Sequence, residues 1–305
     1  MKKIQELAFR FAAIPAPSGF AAGRLDAIAE AAAPYAPEIR RTPGGSLLLH
    51  RPGTGRKIAL CTHVDDPGFL ATYREESGAM RVNPLGFDNL PAAYGAPVVS
   101  SKGVPGVLSA GNPKDLKAAD LLLTPFGEAE TGDAFVLASP AAVHGDKLVG
   151  AGIAAGLSAA ILLDVLADMD MSADLTLVFT GHHMLGARDA APAIELAAPD
   201  VAVTLSALPE GAVKCGKGAA VCHQSGYAVS DPALLAQLTE AADEVQHDFK
   251  GGAVSDLSAI QRVGAGVPAA AIGYAVQDPG TLIERADLRD AEKVAEMLKK
   301  FLLKG

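Results

Sequence analysis

The second half of the chain alternates helical and strand patterns, and this alternation constrains the fold more than any other feature. A long helix rich in Ala and Leu is predicted over residues 151–169, and a buried strand follows over 174–180. Further strands and helices alternate between residues 200 and 303. Strands that alternate with helices of about ten or more residues form a parallel or mixed sheet with helices on both faces. We therefore predict an α/β fold built on a mixed sheet flanked by helices.

The composition of the chain changes near residue 86. From there to residue 144, Pro and Gly residues interrupt short β-rich pieces. This pattern is typical of a small β-domain inserted into a larger fold. We predict a discontinuous α/β domain of residues 1–85 and 145–305, interrupted by an inserted β-domain of residues 86–144.

The composition also excludes several classes of partner. The 305 residues carry a formal net charge of −9 without a cluster of Lys and Arg, whereas nucleic-acid binding requires a basic surface. No apolar run resembles a membrane span of about 20 residues. The N-terminus lacks the apolar segment of a signal peptide, and Cys61, Cys215 and Cys222 have no metal-ligand spacing. We predict a cytoplasmic protein with reduced thiols that binds neither nucleic acid nor a membrane.

A polar pair closes the predicted strand at 58–62. His63 and Asp65 are two residues apart, so their side chains point to the same face of the strand. In α/β folds, ligands and metals bind at the carboxyl ends of strands. The pair therefore indicates either the first half of a metal site or a local hydrogen bond that closes a turn.

Two later strands also end in polar residues. His182 and His183 follow the strand at 174–180, and Ser206 ends the strand at 200–206. Adjacent residues diverge, so we expect at most one of the two histidines to face the same cavity as His63. Two histidines and a carboxylate would suit a transition metal. The alternative is that both are loop histidines, one solvated and one hydrogen-bonded to the next turn.

Glycines open the helix that begins near residue 151. The segment 150–156 reads Gly-x-Gly-x-x-x-Gly and could bring the backbone close to a phosphate at a helix N-terminus. The preceding strand is short, and no acidic residue ends a clear second strand about 20 residues on. Tight helix packing is therefore the favoured explanation of these small residues, over nucleotide binding.

Four segments of the chain resemble the M42 family of metallo-aminopeptidases, which includes glutamyl and tetrahedral aminopeptidases. They are Pro15-Ala16-Pro17-Ser18-Gly19-Phe20, His63-Val64-Asp65-Asp66-Pro67-Gly68-Phe69, the frame Val178-Phe179-Thr180 with Gly186, Arg188 and Ala190, and Gly251-Gly252 with Ser255-Asp256. The resemblance covers almost the whole chain. It implies an aminopeptidase-like α/β domain whose β-insertion supports dimers and larger shells.

The resemblance also implies a type of chemistry. The family uses two metal ions, usually zinc or cobalt, to polarise the scissile carbonyl and generate hydroxide, with a glutamate as general base. This chain keeps the ligand His63 and also Asp65, which orients that ligand in the family. Gly150-Ala151-Gly152 stands where the family has a bridging aspartate, and His183 and Met184 stand where it has paired glutamates.

Two further ligand positions are also altered. The later aspartate of the family falls on Leu205 or Ser206, and its late histidine falls near Gly280, although Glu284 keeps the last residue of that frame. Two divalent cations held close together need a bridging carboxylate and several anionic ligands. We therefore predict a homologue with a degraded dinuclear site, inactive or weakly active as a peptidase. The alternative is an active metal-dependent aminopeptidase or hydrolase with a mononuclear site rebuilt from histidines.

The motifs and the resemblance together give a set of candidate residues. Asp65 and His183 are the predicted catalytic residues, and His63 and His183 are the predicted metal ligands. The predicted substrate pocket consists of His182, Met184, Ser206 and Asp256. We expect either no cofactor or one weakly bound divalent metal, zinc or cobalt. The predicted partners are further copies of the chain, in a homodimer or larger assembly, and peptides.

Overall fold

Helices and strands alternate along the chain as an α/β fold requires. The computed structural model describes residues 2–112, 114, 116–167, 173–249 and 255–304. Its α-helices are α1 (Lys2–Ala12), α2 (Ala22–Ala32), α3 (Leu90–Ala93), α4 (Ile153–Ala167), α5 (Ala190–Ala197), α6 (Pro232–Ala241), α7 (Leu257–Ile260) and α8 (Leu288–Lys304).

A large mixed sheet forms the centre of the molecule. Its 11 strands are β1 (Glu38–Arg41), β2 (Leu47–Arg51), β3 (Lys57–His63), β10 (Ala142–His144), β11 (Lys147–Gly150), β12 (Asp174–Thr180), β13 (Val201–Pro209), β14 (Ala220–Cys222), β17 (Gln246–Asp248), β18 (Ala269–Gln277) and β19 (Glu284–Asp287). Nine of them run in the order β1-β2-β12-β3-β13-β18-β19-β11-β10, and β14 with β17 branches from β18.

The middle of this sheet is parallel. β3 lies between β12 and β13 and runs parallel to both, and β18 continues the parallel set beyond β13. The register pairs Thr180 with His63, so the carboxyl ends of β12 and β3 meet at one edge of the sheet. This arrangement gathers the polar strand ends that the sequence singles out.

The sheet is covered on both faces. Ile58 and Leu60 of β3 belong to a core shared with α1, α4 and α8. Ala59 and Cys61, which alternate with them, pack on the other side with α5 and α7. Such alternation follows from the two-residue period of a strand. The predicted mixed sheet flanked by helices is confirmed.

A closed β-barrel is the second structural unit. Its strands are β4 (Gly68–Arg74), β5 (Met80–Leu85), β6 (Pro97–Ser100), β7 (Pro105–Ala110), β8 (Leu121–Pro125) and β9 (Ala134–Leu137), in the order β4-β5-β8-β7-β6-β9. Two of these strands, β4 and β5, precede residue 86. Composition does not mark them as part of the barrel, since the Pro- and Gly-rich segment begins only after β5. A separate hairpin joins β15 (Gln224–Ser225) to β16 (Ala228–Val229). The division at residues 86 and 144 stays a prediction.

The apolar helix α4 is held between the sheet and the helices α1 and α8. A Cβ on Gly156 would lie 3.0 Å from the carbonyl oxygen of Ala8 and 3.0 Å from the amide nitrogen of Ala12. Only glycine therefore lets α1 approach α4 this closely, and helix packing accounts for this glycine. Among the described residues, no helix has both the length and the apolar character needed to cross a bilayer.

Candidate functional site

A cavity opens at the carboxyl ends of the parallel strands. It has a volume of about 250 Å³, and we call it the strand-end cavity. Residues from β3, from the turn after β12 and from the segment before β19 line it. The polar and sulfur-bearing side chains on its wall are His63, Asp65, Asp66, His183, Met184 and Glu284.

Two imidazole rings lie face to face on the wall of this cavity. The ring centroids of His63 and His183 are 4.2 Å apart, and the ring planes are 14° from parallel. Nδ1 of His63 is 3.2 Å from the carbonyl oxygen of Asp65 and 3.7 Å from its carboxylate Oδ1. Burial, and then the positive charge that His183 can carry, lower the pKa of His63 to about 4. His63 is therefore neutral at pH 7.

A buried carboxylate orients the second imidazole. Oδ1 of Asp256 is 2.6 Å from Nδ1 of His183, and its Oδ2 accepts a hydrogen bond of 2.8 Å from the hydroxyl of Thr180. Burial works to raise the pKa of Asp256, but His183 and the Thr180 hydroxyl outweigh it, so that this pKa lies below its usual value. Because an ionised carboxylate only accepts, Nδ1 of His183 carries the proton of this hydrogen bond.

Asp65 and Ser206 each keep a buried polar atom without a partner. Oδ2 of Asp65 accepts a hydrogen bond of 3.0 Å from the amide of Met184. Oδ1 of Asp65 and the hydroxyl of Ser206 have no hydrogen-bond partner within the described ranges. A buried polar atom left in this way costs free energy of folding, about 1–3 kcal/mol in typical cases. Such an atom is a candidate for contact with a ligand or ordered water.

Two further carboxylates line the cavity, and one of them, Asp66, pairs with the buried Arg24, which does not itself line the cavity. Arg24 donates hydrogen bonds of 2.7 Å to Oδ2 of Asp66 and to the carbonyl oxygen of Val64. Burial raises the pKa of Asp66, and Arg24 partly opposes that effect. Glu284 accepts from the amides of Gly280 at 2.7 Å and Ala154 at 3.2 Å. Burial raises the pKa of Glu284 to about 7, so this carboxyl is partly protonated at neutral pH.

The structure brings together only some of the predicted site residues. His63, Asp65, His183 and Met184 line the strand-end cavity. The residues that do not line it are His182, Ser206 and Asp256. Whether any of these seven residues touches a substrate stays a prediction, and Gly251 and Gly252 lie outside the described residues.

The three predicted residues that do not line the strand-end cavity each have a physical reason for their position. His182 points the other way from His183, as adjacent residues do, and its Nδ1 is 3.4 Å from a carboxylate oxygen of Asp189. Asp256 lies behind His183, where it holds that ring. Ser206 is buried within β13, and the next residue, Ala207, reaches the cavity.

Arg24 and Thr180 are not among the site residues predicted from the sequence. Arg24 lies in an amphipathic helix where an arginine normally faces solvent, and only its tertiary contacts reveal its role. Thr180 could have been found, because it ends a predicted buried strand next to two histidines. Glu284 is visible only through the family frame, since nothing local marks it as buried.

The residues of the cavity do not fit a metal centre. No group of three or more His, Cys, Asp or Glu side chains is placed to hold a metal ion in the part of the chain that the structure describes. An imidazole binds a metal through a lone pair in its ring plane. Because the rings of His63 and His183 are stacked, an ion in the plane of one lies outside the plane of the other. The segment from Gly150 to Gly152 contributes no carboxylate.

Comparison with known proteins gives consistent relatives. The family model of the M42 glutamyl aminopeptidases matches residues 128–297. A provisionally assigned aminopeptidase of Acetivibrio thermocellus is 22% identical, over 96% of this chain and 96% of its own length. An aminopeptidase of the archaeon Desulfurococcus kamchatkensis superposes with a TM-score of 0.94 at 21% identity, covering 100% of this chain and 95% of its own.

A third relative is described by its assembly. The TET1 peptidase of Pyrococcus horikoshii, which can assemble into a tetrahedron or a large octahedral shell, superposes with a TM-score of 0.89 at 20% identity. The match covers 99% of this chain and 100% of that one. Likeness at this level of identity shows a shared fold, including both the mixed sheet and the barrel.

Proposed function

Because the chain belongs to the M42 family of glutamyl aminopeptidases, we propose that it is a divergent member with a degraded dinuclear metal site. It keeps the aminopeptidase scaffold and is inactive or weakly active as a peptidase. The observation that carries this proposal is the stacking of His63 on His183 beside a segment, Gly150 to Gly152, that offers no carboxylate. A bridging carboxylate and converging lone pairs are what two metal ions require.

The charge on the cavity wall supports the same proposal. Of the carboxylates near Gly152, Asp66 already pairs with Arg24, and Glu284 has a pKa raised to about 7. Two divalent cations carry four positive charges at short distance and need several anionic ligands around them. Three carboxylates line the cavity, Asp65, Asp66 and Glu284, but Asp66 is already paired and none comes from the segment Gly150 to Gly152, where the bridging ligand of the family falls.

The cavity itself supports a role in binding. It retains hydrogen-bonding groups on several sides, including the oriented imidazole of His183 and the buried Oδ1 of Asp65. A few polar groups placed in a concave site are the usual requirement for holding a small ligand. We propose that the end of a peptide is the ligand, in keeping with the family.

One observation favours an active enzyme as the second candidate. The contact of 2.6 Å between Asp256 and His183 resembles the outer carboxylate that orients a metal-bound histidine. A mononuclear site of His63 and His183 would, however, require one ring to turn out of the stack. This candidate predicts one metal ion in the cavity and measurable hydrolysis.

Metal content and hydrolysis measured together test the proposal. Protein without a histidine tag is purified without chelator, alongside the variant His63→Ala, and both are assayed on aminoacyl-anilides with and without added cobalt. We expect no metal that depends on His63, and no hydrolysis or only weak hydrolysis. About two zinc or cobalt ions per chain that disappear in His63→Ala, together with robust hydrolysis, would overturn the proposal. One such ion with activity would favour the second candidate.

We also propose that the chain self-associates as a homodimer or larger assembly through the barrel. Support comes from the assembly described for the Pyrococcus horikoshii relative and from exposed aromatic residues of the barrel, Tyr73, Tyr94 and Phe126. Light scattering coupled to size-exclusion chromatography tests this, and a monomer at micromolar concentration contradicts it. A cytoplasmic location also stays a proposal, supported by three free cysteines.

A further inference from the structure

Two histidines face each other on the surface, away from the strand-end cavity. β14 and β17 run parallel, with Val221 beside His247. His223 follows β14 directly, and its amide extends the ladder by donating to the carbonyl oxygen of Asp248. This register brings Nε2 of His223 to 3.0 Å from Nδ1 of His247, and one of these two nitrogens donates a hydrogen bond to the other. No sequence motif marks the pair, because 24 residues separate its members.

The separation of these two nitrogens suits one shared metal ion. Zinc binds imidazole nitrogen at about 2.0–2.1 Å with tetrahedral angles, which places two ligand nitrogens about 3.3 Å apart. A metal ion would replace the proton of the hydrogen bond, and the nitrogens would move apart by a few tenths of an ångström while the rings turn so that both lone pairs point at the ion. His247 is exposed, so its ring can turn to make that adjustment. The ring of Phe249 stacks on His223 with centroids 4.1 Å apart.

The protonation state of the pair is also favourable. Partial burial, and then the neighbouring His247, lower the pKa of His223, although Asp248 opposes this. A metal binds the neutral imidazole, so a lowered pKa leaves more of the ligand ready at pH 7. Imidazole is preferred by zinc, copper and nickel, whereas calcium and magnesium prefer oxygen ligands.

We propose that His223 and His247 form a surface binding site for a divalent transition-metal ion such as Zn²⁺. The two imidazoles supply two ligands, and water completes the coordination. The site lies on the branch of the sheet formed by β14 and β17 and shares no residue with the strand-end cavity. The inference therefore does not rest on the function proposed for that cavity.

Zinc titration of the full chain, freed of histidine tag and stripped of metal, tests the site. The calorimetric titration uses wild type, His247→Ala and His247→Gln, with His144→Ala, an exposed histidine on β10, as the matched control. Removing a ligand weakens binding at least as much as removing an outer-sphere partner, roughly 10–100-fold. We expect that loss in both variants at position 247 and unchanged affinity in His144→Ala.

Thermal melts without metal show whether the variants are folded, and the Gln variant keeps a side chain that can hydrogen-bond to His223. Zinc affinity that is equal in wild type and both variants, or no zinc binding by wild type at millimolar concentration, would overturn the proposal. The same zinc titration on His63→Ala shows whether zinc binds in the strand-end cavity instead of at His223 and His247. Zinc that is lost in His63→Ala but kept in His247→Ala would reject this inference and the degraded-site proposal together, whereas the reverse pattern supports both.

Discussion

Two histidine pairs in this molecule meet in opposite ways. His63 and His183 lie in the strand-end cavity with their rings stacked and their ring centroids 4.2 Å apart. His223 and His247 lie at the surface, and a hydrogen bond of 3.0 Å joins a ring nitrogen of one to a ring nitrogen of the other. The family resemblance places a metal site at the first pair, whereas no sequence motif predicts a site at the second. The difference teaches that the direction of the lone pairs, more than the presence of histidine, decides whether a pair can share an ion.

The largest expected effect comes from removing the carboxylate behind the buried pair. Asp256→Ala leaves the Nδ1 proton of His183 and the hydroxyl of Thr180 without their buried acceptor. Removing one partner of a buried pair typically lowers the free energy of unfolding by about 3–5 kcal/mol. Urea denaturation measures the loss, with Ser258→Ala on the same helix as a control expected to change it by less than about 0.5 kcal/mol. A loss below about 1 kcal/mol would mean that Asp256 is not what holds His183.

The next effect concerns the segment from Gly150 to Gly152, where the family resemblance places a bridging aspartate. Gly152 has φ of +65°, and a Cβ there would lie 3.0 Å from Oδ2 of Asp66. We expect Gly152→Asp to lose about 1–3 kcal/mol of stability from backbone strain and charge repulsion, and to bind no additional zinc. Gly152→Ala is the control, since it adds the strain without the charge. Recovery of a tight zinc site by Gly152→Asp alone would show that the stacked histidines can separate.

A third effect is the pH dependence of stability that Glu284 creates. Its pKa rises from 4.5 to about 7 on folding, so between these values the folded chain holds a proton that the unfolded chain has released. The contribution is therefore fully present below pH 4.5 and is lost as pH rises through 7. The slope approaches ~1.4 kcal/mol per pH unit within that window.

Urea denaturation of wild type and Glu284→Gln at pH 5, 6 and 7 measures this contribution. The Gln variant should lack this contribution, so its stability relative to wild type should increase with pH. The slope of each protein alone also contains the opposite contribution of His63, whose pKa is lowered on folding, and this cancels in the difference. Identical slopes in the two proteins would show that Glu284 is ionised throughout, as it would be beside a bound dication. The measurement thus tests, without added metal, whether the cavity that contains His63 and His183 holds a cation.

The smallest expected effect is at the surface pair. Because His247 is exposed, His247→Ala in metal-free protein should change the free energy of unfolding by less than about 0.5 kcal/mol. His63→Ala, which removes a mostly buried ring stacked on His183, should cost more. Parallel urea titrations compare them. Equal losses would contradict the distinction between a pair that is part of the packed interior and one that is free to bind.

The fold was accessible from sequence because its signals are local. The two-residue period of strands such as β3 and the long apolar run of α4 each specify an element, and their alternation specifies the sheet. The start of the barrel at Gly68 could not be predicted from the sequence, because β4 follows β3 without a change of composition. Tertiary pairing alone decides that β4 belongs to the barrel.

The candidate site was only partly accessible for a related reason. His63, Asp65 and His183 sit at strand ends, which a sequence can indicate. That the two rings stack depends on how the turn after β12 packs, and no local pattern carries this information. The approach of His223 to His247 depends likewise on the pairing of β14 with β17.

Arg24 has a consequence for how such a protein can change over evolutionary time. Its guanidinium donates to carbonyl oxygens of Ile14 and Val64 and to the carboxylate of Asp66, all from a position that is 1% exposed. A lysine there cannot reproduce the planar array of donors of a guanidinium. A smaller residue would leave the buried oxygen atoms that Arg24 contacts without a hydrogen-bond donor. Selection for folding alone is therefore enough to preserve Arg24 and with it the position of Asp66, which lines the strand-end cavity. The shape of this cavity can thus be inherited through many generations whether or not its chemistry is under selection.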